Sequence, residues 1–240
     1  MTTAATARDI DTAADLREAL RRAIANGEYA PGVKLVEREL TLRYGVGRTG
    51  VREALRYLAA EGILELNENR GARVKSLSYS DALDMYQVRE ELEGLAGQLF
   101  AVRGTPEEKI EFAQSLEPVR EAMHDGDVTR TLVLSDIYYG HLLRGARNPE
   151  LHRLIELLHV RINQVRRVSV SMAERAESTL DGLQRIVNAV LVGDPVEARA
   201  ACIAHVRASA AATLPVLAAW EQPQEPNTST PSETARPQSS

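Results

Sequence analysis

Two short segments with helical apolar periodicity are separated by only three residues, Gly45–Gly47, and this link constrains the fold more than any other feature of the chain. The first segment covers about 36–44, and the second begins near Arg48 and ends at Gly62. Glycine just past a helix favours a sharp end, because it adopts the left-handed backbone conformation without steric cost. Two helices joined this tightly cross steeply, so the pattern predicts a helix-turn-helix.

A hairpin signal follows the second of these helices. Residues 63–66 and 72–75 are short strand-like runs that flank an Asn- and Gly-rich turn at 67–71. A further amphipathic segment at about 11–26, ended by Asn26–Gly27, precedes the two helices. This order predicts a winged helix-turn-helix domain over residues 9–77, whose third helix projects into a major groove of DNA.

The rest of the chain is predicted to be helical up to about residue 219. Pairs such as Thr105–Pro106 and Asp194–Pro195 mark helix starts, because an N-cap followed by proline is typical of that position. Short connections between the helices indicate an antiparallel bundle over residues 80–219 and a mainly α fold class. We expect the Pro-, Ser- and Thr-rich residues 221–240 to be disordered. The predicted helices number about six, at roughly 80–102, 106–124, 128–146, 149–170, 174–192 and 195–219.

Positive charge is concentrated in the predicted helix-turn-helix region. The whole chain carries a net charge of −5. Residues 34–75 nevertheless hold nine basic against six acidic residues, a net charge of +3, whereas residues 77–240 carry −7. An acidic body around one basic face repels DNA everywhere except at that face. The distribution therefore favours DNA binding.

The predicted N-terminal domain, called the head below, resembles the GntR family of bacterial transcription regulators. The resemblance rests on Leu35–Leu40, Gly45–Leu58, Glu61–Leu64 and Asn69–Val74, which follow the family pattern in register. It implies a sequence-specific DNA-binding regulator, and we expect a repressor.

Three parts of the head are predicted to contact DNA. The first turn of the third helix meets base edges in a helix-turn-helix, where Arg bonds bidentately to guanine and Thr reaches a base or a phosphate. The second helix is expected to reach a phosphate or the groove edge, and the hairpin tip would approach the minor groove. The predicted DNA-binding residues are Arg38, Arg48, Thr49, Gly50, Arg52, Arg70, Gly71 and Arg73.

Two positions of the third helix depart from the family pattern. Gly47 stands where the family has a capping serine, and Gly50 stands where it has proline. Glycine in place of a serine cap costs a few tenths of a kcal/mol. Glycine in place of proline loosens the start of the helix, by about 1 kcal/mol. We expect a softer N-terminus of this helix and an operator that differs from the usual one of the family.

The helical segment resembles the FCD effector-binding domain. The resemblance rests on Tyr86–Glu93, Gly145–Leu151 and Gly193–Ala200. It implies that this domain binds a small effector and forms the homodimer, and a two-fold dimer suits a palindromic site on double-stranded operator DNA.

Many FCD domains hold a divalent metal with one aspartate and three histidines. A one-residue gap in the alignment uses Asp136 and Gly140 for the first pair, with His141 one residue further on. Zinc or nickel needs three or four convergent ligands, and neither alignment provides three imidazoles, so we expect no metal and no other cofactor. Without a gap, the four positions fall on Ser135, Tyr139, Leu183 and His205, of which only His205 keeps the family residue.

Without a metal, arginine side chains are expected to hold the effector. Arg89 matches a family position that faces the cavity. Because the guanidinium fork binds a carboxylate bidentately, an organic acid is the expected effector. For each residue of the set, an exposed or salt-bridging structural role stays open as an alternative. The predicted effector-binding residues are Arg89, Tyr139, Arg161, Asn163, Arg166 and His205.

Composition narrows the location and the class of protein. The chain has no run of 18 apolar residues and no apolar signal segment at its start, so neither a membrane span nor secretion is expected. The single Cys202 excludes an intramolecular disulfide and fits a cytoplasmic protein. No catalytic motif is evident, which favours a non-enzyme. The alternatives are a helical enzyme or a protein-binding scaffold with a fused winged-helix head.

Overall fold

The computed structural model describes residues 12–67 and 71–221. Residues 9–11 of the predicted head, Arg70 and the predicted tail beyond Glu221 therefore lie outside the described residues. The head contains α1 (Ala13–Ala25), β1 (Lys34–Leu35), α2 (Glu37–Tyr44), α3 (Arg48–Ala60), β2 (Leu64–Asn67) and β3 (Gly71–Val74). The helical part contains α4 (Tyr79–Arg103), α5 (Pro106–Gln114), α6 (Leu116–His124), α7 (Val128–Gly145), α8 (Pro149–Val170), a 3-10 turn (Ala173–Arg175), α9 (Ala176–Val192) and α10 (Pro195–Glu221).

The mainly α fold with a winged helix-turn-helix is confirmed. The head has a small antiparallel sheet in the order β1-β3-β2, one strand more than the predicted hairpin. The two residues of β1 pair with β3, Lys34 opposite Arg73 and Leu35 opposite Ala72. A strand of two residues carries no periodicity of its own, because it is defined only by its partner.

Local caps and apolar faces form the head helices. Thr12 and Asp15 make a reciprocal capping box at the start of α1, with the Thr12 hydroxyl accepting from the Asp15 N–H at 3.1 Å. Gly45 ends α2 with φ 74°, the left-handed conformation expected there. The core of the head is built from the buried faces of α1 and α3 together with the sheet, and includes Leu16, Leu20, Ile24, Val51, Leu55, Leu58 and Val74.

The bundle is built around the close packing of α4 against α10. A Cβ at Gly97 of α4 would lie 2.6 Å from the Cys202 sulfur and 2.9 Å from the Ala198 carbonyl oxygen, so only glycine allows this approach. By length and composition α10 is apolar enough to span a membrane, a property that it shares with the core helices of other bundles. Its buried residues pack instead against α4 and α9, as in the central helix of a bundle.

Residues 106–124 form two helices, α5 and α6, where the sequence predicted one. Pro118 explains the break, because it has no N–H for the carbonyl of Gln114 and its ring crowds that carbonyl. The Ser115 hydroxyl donates to the Phe112 carbonyl at 2.7 Å at the junction. The described bundle consequently has seven α-helices instead of the predicted six.

The head packs against α8 of the bundle. Val160 of α8 is buried within the core of the head. Arg167 donates through Nη2 to the Asn26 carbonyl at 2.6 Å, and Gln164 donates through Nε2 to the Lys75 carbonyl at 3.1 Å. One helix thus contacts both the end of α1 and the segment that follows β3.

Candidate functional site

The N-terminus of α3 is open and carries no negative charge in its first turn. Its N-cap Gly47 forms no side-chain cap, so the first backbone N–H groups of the helix lack a side-chain partner. Such groups form an anion-binding end that suits a DNA phosphate. A Cβ at Gly47 would meet no atom within 4 Å, so the missing serine is not enforced by packing.

Packing explains why residue 50 is a glycine. A Cβ at this position would lie 2.7 Å from Cγ1 of Val46, whose side chain is buried in the core of the head. A larger residue therefore requires Val46 to move. The sequence predicted Gly50 as a DNA-binding residue and as a softer helix start, but it did not predict this contact, which depends on the turn between α2 and α3.

The predicted reading residues of α2 and α3 are exposed. Within the described residues, the side chains of Arg38, Arg48 and Thr49 make no hydrogen bond or ion pair. Arg52 lies one turn after Arg48 on the same face, and its Nε is 2.9 Å from Oε2 of Glu37. An exposed pair of this kind contributes at most about 1 kcal/mol, so DNA can displace the Glu37 carboxylate.

The hairpin of β2 and β3, called the wing below, is described by the structure except for the residues of its tip. Gly71 is exposed and has φ 79°, a conformation that other residues rarely adopt. Arg73 is exposed, but its Nη1 donates to the Gly32 carbonyl at 2.8 Å, which holds the side chain across the sheet. Arg70 lies outside the described residues.

A small buried cavity lies inside the bundle, with a volume of about 20 Å³. The structure brings four of the six predicted effector residues to its wall: Arg89, Tyr139, Arg166 and His205. The sequence did not assign the serine and threonine residues of the wall to the effector, because serine and threonine on a helix give no distinctive signal, and Ser135 was named only as an aligned metal position. The serine and threonine residues of the wall are Thr131, Ser135, Ser169, Thr179 and Ser209.

Arg89 is the most unusual residue of this cavity. Its side chain is 2% exposed, and its Nε donates to Oε1 of Glu93 at 2.9 Å. Its Nη1 is buried without a hydrogen-bond partner among the described residues. Desolvation lowers the pKa of Arg89, yet the charge of Glu93 together with the neighbouring groups raises it above the ordinary value. The cavity wall therefore holds a charged donor that lacks an acceptor.

Arg166 lies over the ring of Tyr139. Its guanidinium carbon is 4.1 Å from the ring centroid, within the range of a cation–π contact. Its Nη1 donates to Oδ1 of Asp136 at 3.1 Å and to Oδ1 of Asn163 at 3.0 Å. Burial raises the pKa of the Tyr139 phenol. Tyr139 is thus a neutral side chain beside a cation.

Two predicted effector residues do not reach the cavity. Arg161 donates to Oδ1 of Asp81 at 3.2 Å, at the junction with the head. Asn163 does not line the cavity, and its Nδ2 donates to Oδ2 of Asp136 at 3.1 Å. Arg161 thus forms a salt bridge, which was the alternative left open for it, whereas the buried Asn163 is hydrogen-bonded to a carboxylate.

His205 is buried at the cavity. Desolvation is the main cause that lowers its pKa from 6.5 to about 4, with the charges of Arg89, Arg166 and Arg175 adding to it and Glu93 opposing it. The imidazole is therefore neutral near neutral pH.

We expect this histidine to destabilise the protein in acid. Between pH 6.5 and about 4 the unfolded chain binds the proton and the folded chain does not. The free energy of unfolding should fall as the pH is lowered through this range, by roughly 3 kcal/mol at the lower end. Urea unfolding at about pH 7 and pH 4.5 measures the loss, which His205→Gln should reduce. His124→Gln, at an exposed histidine, is the control; equal acid sensitivity of His205→Gln and wild type would contradict the assignment.

The cavity residues do not fit a divalent metal. The four positions of the ungapped alignment do line one cavity, but they provide one imidazole, one neutral phenol, one hydroxyl and the apolar Leu183. The guanidinium of Arg166 adds positive charge beside them. Across residues 12–67 and 71–221, no three His, Cys, Asp or Glu side chains converge to hold a metal.

Comparisons with known proteins match both parts of the chain. The model of the family "Bacterial regulatory proteins, gntR family" matches residues 12–74, and that of the FCD domain matches residues 84–208. A "Probable D-xylose utilization operon transcriptional repressor" of Paenarthrobacter nicotinovorans is 31% identical over 204 residues, which cover 84% of this chain and 88% of the relative. The "Uncharacterized HTH-type transcriptional regulator YdhC" of Bacillus subtilis is 29% identical over 187 residues, 78% of this chain and 84% of the relative.

A solved structure shares the architecture. E. coli McbR/YncC superposes with a TM-score of 0.76 at 21% identity, over 88% of this chain and 98% of that one. At this identity the likeness concerns the fold, and it includes both the head and the bundle.

Proposed function

Since this chain belongs to the gntR family of bacterial regulatory proteins and carries an FCD domain, it is a DNA-binding transcription regulator, and we propose that an organic acid bound in the bundle controls its affinity for an operator. We further propose that it acts as a repressor and as a homodimer. One recognition helix reads one half-site, so two heads related by a two-fold axis suit a palindromic operator.

The unpartnered Nη1 of Arg89 is the observation that carries the choice of an acid. A buried donor without an acceptor is unfavourable by about 1–3 kcal/mol, so an arriving carboxylate oxygen gains from satisfying it. A charged guanidinium also makes stronger hydrogen bonds to a carboxylate than to a neutral hydroxyl. Arg166 and the hydroxyl groups of the wall supply further donors around the same space.

The same arrangement supports a metal-free site. In this proposal the guanidinium groups of Arg89 and Arg166 provide the positive charge, because His205 is the only imidazole among the four family positions. The response to the effector should therefore persist in the presence of a chelator.

In this proposal, α8 is the helix through which the effector changes the position of the head. Arg166 contacts the cavity, while the next residue, Arg167, bonds the carbonyl of Asn26 at the end of α1. A ligand that moves Arg166 therefore acts on a helix that also holds the head. Effector binding would shift the population between head positions that fit the two half-sites and positions that do not.

A paired substitution tests the acid site. In Arg89→Met/Glu93→Leu the buried ion pair is replaced by apolar side chains, which is often close to neutral for folding. Binding to an operator obtained by selection from random DNA is measured by fluorescence anisotropy in EDTA, with succinate, gluconate, 6-phenylhexanoate or D-xylose added. We expect an acid to change the operator Kd of the wild type by about 5–150-fold, and the double variant to bind operator without this response.

The matched control exchanges a second ion pair that includes a residue of α4 but lies at the surface of the bundle. Arg207 of α10 and Glu90 of α4 form an exposed pair with 2.6 Å between Nε and Oε2. Arg207→Met/Glu90→Leu should keep the full response. A full response of the Arg89/Glu93 variant, or a response to the neutral D-xylose alone, would contradict an acid effector held by Arg89.

A further inference from the structure

We propose that the effector also fills the cleft between the head and the bundle, and that it is a carboxylic acid with an apolar body. This inference rests on the proposed function, because the acid group is taken to bind Arg89. The inference adds a second subsite to the proposed function, and this subsite is lined by residues of both domains. It also gives the chemical class of the part of the ligand that lies outside the bundle.

The buried cavity is too small to contain an effector. Its volume of about 20 Å³ accommodates roughly one water molecule. The interdomain cleft on the other side of the wall has a volume of about 480 Å³. Sites for small-molecule ligands typically measure about 300–1,000 Å³, so the cleft has the size of a ligand site and the cavity does not.

The cleft has a floor that is apolar in part and faces charged side chains of the head. The apolar part of the floor is formed by Leu142, Leu143, Ile155 and Ile162 of α7 and α8, and the same two helices also line the cleft with Asp136, His152, Glu156 and Arg166. Its opposite side is formed by Glu18, Arg21 and Arg22 of α1, in the head. Apolar side chains on the floor favour the binding of a hydrocarbon or aromatic group, because that group is removed from water when it binds.

Arg166 and Tyr139 separate the two spaces, since both side chains line the cavity and the cleft. Arg166 is held to Asp136 and Asn163 through Nη1, while its Nε is buried without a hydrogen-bond partner among the described residues. Glu93 lines the cleft and its partner Arg89 lines the cavity. In this proposal, movement of the Arg166 and Tyr139 side chains joins the cleft to the donors of Arg89.

A ligand placed in this way touches the head directly. Arg21 lines the cleft, and its Nη2 is 2.7 Å from Oε2 of Glu61, the residue that caps the C-terminus of α3. The body of the ligand therefore lies against a side chain that is bonded to the recognition helix. Its presence would change the position of α3 through α1 and Arg21.

A substitution that fills the cleft tests the second subsite. Gly140 of α7 lines the cleft, and a Cβ there would meet only the end of the flexible Arg144 side chain, at 3.0 Å from Nη1. Leucine at this position occupies the cleft and also favours the helix. Calorimetric titration with acetate and with 6-phenylhexanoate is carried out on wild type, Gly140→Ala, Gly140→Leu and Arg89→Met/Glu93→Leu.

We expect Gly140→Leu to weaken 6-phenylhexanoate about tenfold or more while acetate binds as in wild type, and Gly140→Ala to stay close to wild type. The Arg89/Glu93 variant should lose both acids. Wild-type affinity of Gly140→Leu for 6-phenylhexanoate, or no saturable binding of that acid by the wild type, overturns the cleft subsite. Loss in Gly140→Leu together with retention in the Arg89/Glu93 variant leaves the cleft in place and contradicts the acid anchor instead.

Discussion

Arg52→Ala is expected to remove most of the preference for the operator while the protein stays folded. Arg52 is 62% exposed on the predicted reading face of α3, and among the described residues its only ion pair is with Glu37 at the protein surface. Its removal should leave the free energy of unfolding within about 0.5 kcal/mol of wild type. A bidentate contact to a base is worth about 1–3 kcal/mol of discrimination, which corresponds to a loss of about 5–150-fold in operator affinity.

Fluorescence anisotropy with the selected operator and with a scrambled duplex, at one salt concentration, separates specific from non-specific binding. Arg43→Ala is the matched control: it removes one positive charge from the same domain, at a residue paired with Glu28 at 2.7 Å. That variant should lose little operator preference. Wild-type discrimination by Arg52→Ala would contradict the role of α3 in reading bases.

Arg89→Met on its own is expected to destabilise the bundle severely. It would leave the Glu93 carboxylate, now 3% exposed, buried without its partner. Removing one member of a buried ion pair typically costs about 3–5 kcal/mol, whereas replacing both members by apolar groups is often neutral. The additional change Glu93→Leu should therefore restore most of the lost stability.

Urea unfolding of the wild type, the two single variants and the double variant completes a mutant cycle. One protein concentration is used throughout, because the stability of the proposed homodimer depends on concentration. We expect a large coupling energy between the two positions. Additive effects, with the double variant as unstable as the sum of the singles, would show that the pair does not stabilise the fold.

The two arginines predicted on the same helix show the limit of local reasoning. Arg161 and Arg166 are five residues apart, so their side chains point about 140° apart around α8. The sequence marks both as suitable for a carboxylate. Only the packing of α8 decides that Arg166 faces the cavity and that Arg161 faces Asp81.

Two other differences between the predicted and the observed elements are not equally visible in the sequence. Pro118 is visible in the sequence and was sufficient to predict the break between α5 and α6, by the ordinary effect of proline on a helix. The strand β1 has no such signal, because its two residues become a strand only by pairing with β3.

The sequence by itself determined the head of this protein. Its helix ends, the three-residue link and the reading face of α3 depend on residues close together in the chain, such as Gly45 and the apolar periodicity of 48–60. Tertiary structure alone decided which of the predicted residues meet at the proposed effector site. Arg89, Tyr139, Arg166 and His205 come from four different helices, and their meeting depends on how those helices pack. The orphaned donor of Arg89 and the cleft beneath α1 exist only in that packing, because burial and the absence of a partner are properties of the folded chain.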